Sequence, residues 1–254
     1  MSTRTLQQRL QENGIRKWRA VQHALLTEKH AVAHLKWAIE HRHMTREDWA
    51  WFAWSDEAAI QKDSCRRQVW IYRHENKQEK YAPQNVQGKT RDGQLSQMIW
   101  GCFVSNKLGP IVFINGTVNS DVYIQLLREN FLPYVDALQA DNVTNIVFQQ
   151  DNAPPHVSRK TRQFLEAMTT EHHFSITDWP ANSPDMNLIE NLWSYLKLEL
   201  DRKYPDTKMI HGAPQAIRSV VAQRLTEIWR NIAEDVLDRL VDSMPHRIQA
   251  LIEA

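Results

Sequence analysis

Glycine is scarce, at 7 residues in 254, and neither GxGxxG nor GxxxxGK(S/T) occurs. That removes the glycine-rich loops that cradle nucleotide phosphates. The two cysteines, Cys65 and Cys102, are too few for a disulfide framework, and no CxxC pair offers a structural zinc site. So sparing a use of thiols fits a reducing interior such as cytosol or nucleus. No apolar run reaches membrane-spanning length, and the first residues do not read as a secretory signal. Charge of one sign is not in excess: 31 Lys and Arg face 30 Asp and Glu, for a formal net charge of +1. That balance is no nucleic-acid signature by itself.

What the chain does have is tryptophan, 10 residues of it, which suits a large aromatic core or stacking surfaces. Basic residues gather at the N-terminus, where Arg4, Arg9, Arg16, Lys17 and Arg19 lie among histidines 23, 30 and 34. Such an arm can neutralise phosphates, and it can equally be a solvated helical face. The length supports one good core and a small second module.

Apolar spacing and capping residues predict helices over 5–10 and 27–43, the latter capped by Thr27 with Ala31, Leu35 and Ala38 on one side. An aromatic run from Trp49 to Trp54 reads as a first strand ending at Ser55 and Asp56. Strands follow over 68–72, 97–104 and, after a Lys107-Leu108-Gly109 turn, 110–118, with a polar loop over 74–95. A helix capped by Ser120 runs to 140 with Ile124, Leu127, Phe131, Leu132 and Val135 inward. A strand over 144–150 delivers Asp151. Helix 158–169, strand 174–177 and helix 187–202 come next, the last with Ile189, Leu192, Trp193, Leu196 and Leu200 as its apolar stripe. Residues 214–254 predict one or two amphipathic helices interrupted at Pro245. An antiparallel meander followed by βαβ units predicts an α/β (α+β) fold, a mixed sheet with helices on its faces.

Three carboxylates stand out, each expected at the tip of a buried element: Asp56 in WFAWSDE, Asp151 in QQDNAPPH and Glu190 in SPDMNLIENLW. Each admits a structural role when taken singly. Asp56 and Asp151 suit turns, and Asn187 to Glu190 has capping-box spacing. If their strands are neighbours, the aspartates crowd together and call for a cation. Hard ions such as Mg²⁺ take ligands of this kind, and two of them about 4 Å apart assist phosphodiester chemistry. His156 is placed to orient a phosphate or a water. Lys197 lies two turns along the helix from Glu190. Asp185 is a reserve ligand, whereas adjacent His172 and His173 diverge and make a poor metal pair.

The motifs WSDE, WGCF, QQDNAPPH, WPANSPDMNLIENLW and LVDSMP occur in an order that resembles the Tc/mariner superfamily of DDE transposases, over nearly the whole chain. The resemblance implies an RNase H-like mixed five-stranded sheet flanked by helices, with a small helical N-terminal segment. It implies a catalytic and metal-binding triad of Asp56, Asp151 and Glu190, with two Mg²⁺ or Mn²⁺ ions. It implies cut-and-paste transposition of double-stranded DNA in the nucleus, by a homodimer and without a membrane. Residues 1–45 then read as the remnant of a second helix-turn-helix unit plus a basic linker, in an N-terminally truncated copy. Residues 46–254 read as the catalytic domain. Arg4, Arg9, Arg16, Lys17, Arg19, His156 and Lys197 are the expected DNA contacts. The spacing from Asp151 to Glu190 is a few residues longer than in many members, Leu188 replaces a usual proline and Pro155 a frequent lysine. A catalytically inactive, regulatory DNA-binding derivative is the alternative, and a metal-dependent nuclease without strand transfer is a third reading.

Overall fold

The computed structural model describes Arg9, residues 27–61 and residues 96–253. The expected helix over 5–10, the strand over 68–72, the loop over 74–95 and Cys65 lie outside the described residues. Helix α1 (Glu28–His41) begins where the Thr27 side chain accepts from the His30 N–H. Its buried face is His34, Trp37 and Ala38; Ala31 and Leu35, expected inward, are exposed. The Trp37 ring decides this rotation, because it docks among Trp49, His41 and Trp179.

A capping box between Thr45 and Asp48 opens a short helix, α2 (Arg46–Ala50), so Trp49 is helical rather than the start of a strand. Strand β1 (Phe52–Gln61) then runs well past Asp56, which sits mid-strand and not at its end. The reason is pairing: β1 is antiparallel to β2 (Ser96–Val104) from Ala53↔Val104 to Gln61↔Ser96. Strand β3 (Lys107–Ile114) returns through a two-residue turn at Ser105 and Asn106, with Ser105 at φ 53. The turn comes before Lys107, which pairs with Val104, and the strand stops short of 118.

Helix α3 (Ser120–Leu126) is capped by Asn119, whose side chain accepts from the Val122 N–H, and not by Ser120. A π-helical turn (Leu127–Phe131) leads into α4 (Leu132–Ala140) at Pro133, which has no N–H to continue the α pattern. All five residues expected inward are buried. Strand β4 (Val147–Gln149), helix α5 (Arg159–Glu171), strand β5 (Ser175–Ile176) and helix α6 (Ile189–Lys203) complete the βαβ part. A 3₁₀ turn (Pro205–Met209) precedes three helices, α7 (Pro214–Arg230), α8 (Glu234–Asp242) and α9 (Met244–Glu253). Pro245 opens α9 instead of interrupting a helix, since first-turn N–H groups have no intrahelical partner to lose.

The five strands form one mixed sheet in the order β3-β2-β1-β4-β5, with β1-β4 and β4-β5 parallel. Helices cover both faces, which is why β2 is apolar on both sides. Trp54, Ile60, Ile99 and Phe103 pack under α6 and α7. Ala53, Trp100, Cys102 and Phe148 pack under α3, α4 and α5. Gly101 lies opposite Asp56 in the ladder, and a Cβ there would stand 2.8 Å from the Trp193 ring. That ring is 1% exposed and stacked on Trp229. Gly101→Ala is therefore expected to cost about 1–3 kcal/mol, and an unchanged melting temperature would refute the close fit.

Candidate active site

Side chains alternate along β1, and Asp56 leaves on the face covered by α6, as Trp54 and Ala58 do. Its Oδ2 accepts from the Trp193 indole N–H at 3.3 Å. Asp151 arrives from β4, which pairs with β1 only as far as Trp54↔Gln149. Beyond that pair the Ser55 hydroxyl donates to the Gln149 carbonyl at 2.7 Å, a last tie before the chains part. Glu190 is in the first turn of α6, and the expected capping box is absent: Leu188 holds the cap position without a side-chain bond. Asn187 instead donates from Nδ2 to the Ser55 carbonyl at 3.2 Å, pinning the helix start to β1. Glu190 is thereby free of a capping role, and with Asp56 and Asp151 it lines one cleft of about 360 Å³. Asn152, Ala153, Asn187, Trp179 and residues 180–184 form the rest of its wall.

The electrostatics of the two aspartates differ. Burial, then the charges of Glu190, Glu57 and Asp151, push the Asp56 carboxyl up to about 8. Burial also acts to raise Asp151, but hydrogen bonds from His156 and the Ala153 N–H outweigh it and hold its pKa below the usual carboxylate range. Both bonds fall on Oδ1, at 2.6 and 2.9 Å. The other imidazole nitrogen, Nε2, lies 3.3 Å from Glu57 Oε1, an ion-pair contact off hydrogen-bond alignment. Burial lowers the His156 pKa, yet the two carboxylates more than offset that and push it up to about 9. An imidazole between two carboxylates satisfies both only with a proton on each nitrogen.

Among the described residues no three His, Cys, Asp or Glu side chains draw close enough to hold one ion together. The three carboxylates share a cleft without converging on a point.

The cleft wall is gripped from outside by α1. The Trp37 indole donates to the Asp178 carbonyl at 2.9 Å. His34, 1% exposed, donates from Nε2 to the Ala181 carbonyl at 2.8 Å; a carbonyl only accepts, so that nitrogen carries the proton. Arg247 of α9 reaches the Asp185 carbonyl and Asn191 Oδ1.

Other expected residues fare variously. Arg4, Arg16, Lys17 and Arg19 lie outside the described residues, and Arg9 is an exposed helical residue. Lys197 is half-buried on α6. His156, expected to meet a phosphate or a water, is 3% exposed behind Asp151 and is no surface contact. Asp185 is exposed and does not line the cleft. His172 pairs with Asp136 at 2.6 Å and not with His173. The sequence reading missed Glu57, Tyr123, Trp193 and Asn187 as site residues. Strand alternation next to Asp56 would have put Glu57 on the opposite face, but nothing in the sequence paired it with His156.

A family model for DDE superfamily endonucleases matches residues 52–210. The Transposable element Tc1 transposase of Caenorhabditis elegans is 32% identical over 254 residues, covering 100% of this chain and 86% of that one. The solved Mos1 mariner paired end complex with Mn superposes with a TM-score of 0.74 at 16% identity, over 100% of this chain and 70% of that one. The corresponding complex with Mg gives 0.71 at 17% identity, with the same coverage. These likenesses bear out the RNase H-like sheet, and the chain belongs to the DDE superfamily endonucleases as a DNA transposase of the Tc1-like kind, an enzyme that cleaves and joins DNA strands.

Proposed function

We propose that Asp56, Asp151 and Glu190 are the catalytic carboxylates, holding two Mg²⁺ or Mn²⁺ ions during phosphodiester hydrolysis at element ends and 3′-OH strand transfer into target DNA. The observation that carries this is their meeting in one cleft from β1, the β4 exit and α6. The donor set fits hard cations, being all oxygen. Burial and then the charges of Glu190, Glu57 and Asp151 raise Asp56, and a bound cation would relieve that repulsion. Ions bound there would polarise the phosphoryl oxygen and acidify the attacking water or hydroxyl. The chain's own part is to aim ligands. Asp151 Oδ1 is occupied by His156 and Ala153, which leaves Oδ2 for ligation. Trp193 steadies Asp56, and Asn187 fixes the start of the helix that bears Glu190. Because the carboxylates share a cleft without converging on a point, small side-chain rotations would bring them onto the ions.

Double-stranded DNA is the proposed substrate, in keeping with the paired end complex of the Mos1 relative. Arg4, Arg9, Arg16, Lys17 and Arg19, with Lys197, would supply phosphate contacts. Processing two element ends calls for two active sites, hence a homodimer, and the element's DNA places the work in the nucleus. The test is Mn²⁺-dependent joining of pre-cut DNA ends by the full chain beside Glu190→Gln. Joining that requires both the metal and Glu190 supports the assignment, whereas joining that survives Glu190→Gln rejects it.

A further inference from the structure

The carboxylate assignment leaves unused the far side of the buried His156 behind Asp151. His156 touches Asp151 Oδ1 at 2.6 Å and Glu57 Oε1 at 3.3 Å through opposite nitrogens. Its ring stacks on Tyr123, with centroids 4.0 Å and planes 29° apart. The Tyr123 hydroxyl donates in turn to Gln150 Oε1 at 2.8 Å, on the residue before Asp151. Glu57 follows Asp56 on β1 and so leaves the opposite face of the strand. The Glu57 side chain is 15% exposed and that of Asp151 49% exposed. One end of the chain of contacts is thus fixed in the interior, and the other opens to the cleft.

We propose that Glu57 and His156 form a clasp that positions the Asp151 carboxylate for ligation. The inference rests on Asp151 being a metal ligand. The need for a clasp follows from topology. Sheet pairing between β1 and β4 ends at Trp54↔Gln149, so no ladder places residues 150–156 against β1. Bonds within the loop, from the His156 and Val157 N–H groups to the Ala153 carbonyl, shape it but do not tie it to the strand. The tie is made by the imidazole, which reaches from Glu57 on β1 to Asp151. Without the imidazole the half-exposed carboxylate would keep only the Ala153 N–H bond and would sample more rotamers. Groups that orient a ligand from behind commonly govern 10- to 100-fold in metal affinity or activity.

The experiment titrates Mn²⁺ by calorimetry into the full chain and into His156→Phe, His156→Asn, Glu57→Leu and Asp151→Asn, and follows joining of pre-cut ends in parallel. Phenylalanine keeps the stack on Tyr123 and removes both polar contacts. Asparagine keeps a donor near the place of Nδ1 and loses both Glu57 and the stack on Tyr123. His156→Phe is expected to weaken Mn²⁺ binding by about 10- to 100-fold, Glu57→Leu by about 10-fold, and His156→Asn to recover part of the loss. Recovery by asparagine separates positioning from mere filling of space. Mn²⁺ affinity within about twofold of wild type in His156→Phe, with Asp151→Asn defective, overturns the clasp. If His156→Phe does not fold, wild-type affinity in Glu57→Leu overturns it equally. Should Asp151→Asn itself bind and join as wild type, the ligand assignment has failed and the clasp falls with it.

Discussion

Asp56→Asn is expected to stabilise the metal-free protein at pH 8 and Asp151→Asn to destabilise it, although each lowers strand transfer by about 1000-fold or more, some 4 kcal/mol of transition-state stabilisation. The two aspartates share a cleft and belong to opposite electrostatic regimes. Asp56 is crowded by Glu190 and Glu57 in a half-buried position, and its charge is unwelcome until a cation arrives. A neutral amide removes that penalty, for a gain of about 2 kcal/mol once water entering the cleft is allowed for. Asp151 is favoured in its charged form by His156 and the Ala153 N–H. Asparagine there weakens both bonds and leaves the imidazole facing one carboxylate instead of two. With the side chain 49% exposed, solvent screening holds the loss to about 1 kcal/mol. Chemical denaturation in EDTA measures both signs. A destabilised Asp56→Asn would mean that this carboxylate serves the fold and not the cleft.

The second large effect is a fall in the stability of the metal-free protein as pH rises from about 5 to 9, reversed by Mn²⁺. The folded pKa of Asp56, about 8, lies above its ordinary value, so its contribution is whole below pH 3.8 and is lost as pH rises through 8. His156 adds to this: its contribution is whole below pH 6.5 and lost as pH rises through about 9. Asp151 acts the other way, its depressed pKa giving stability that is lost only on strong acidification. The maximum therefore falls on the acid side of neutrality. Mn²⁺ at about 1000 times its dissociation constant contributes roughly 4 kcal/mol, or about 10 °C in melting temperature for a chain of this size. Metal affinity rises over the same window, because the ion competes with the proton on Asp56. Thermal melts in EDTA and in Mn²⁺ from pH 5 to 9 provide the check. A flat EDTA curve would sink the argument.

The sequence by itself determined the fold class and singled out the three carboxylates that line one cleft. Apolar periodicity is set by which face meets a core, so Ile189, Leu192, Trp193, Leu196 and Leu200 declared α6, and Ile124 to Val135 declared α3 and α4. The runs around Asp151 and Glu190 are specific enough to name the family from a single chain. Boundaries were less legible where two local signals competed. The capping box at Thr45 and Asp48 took Trp49 from the strand, and ladder pairing with β2 carried β1 past Asp56. Only the tertiary structure decided how the site is held. Asn187 reads as a cap but bonds to Ser55, His156 reads as a surface ligand but lies buried between Asp151 and Glu57, and Gly101 is a gap that the Trp193 ring fills. The ties of Asn187 to Ser55, of His156 to Glu57 and of Trp193 to Gly101 join residues from separate elements, and their energy depends on burial and on charges that converge only when the chain is folded. Local propensity has no term for them.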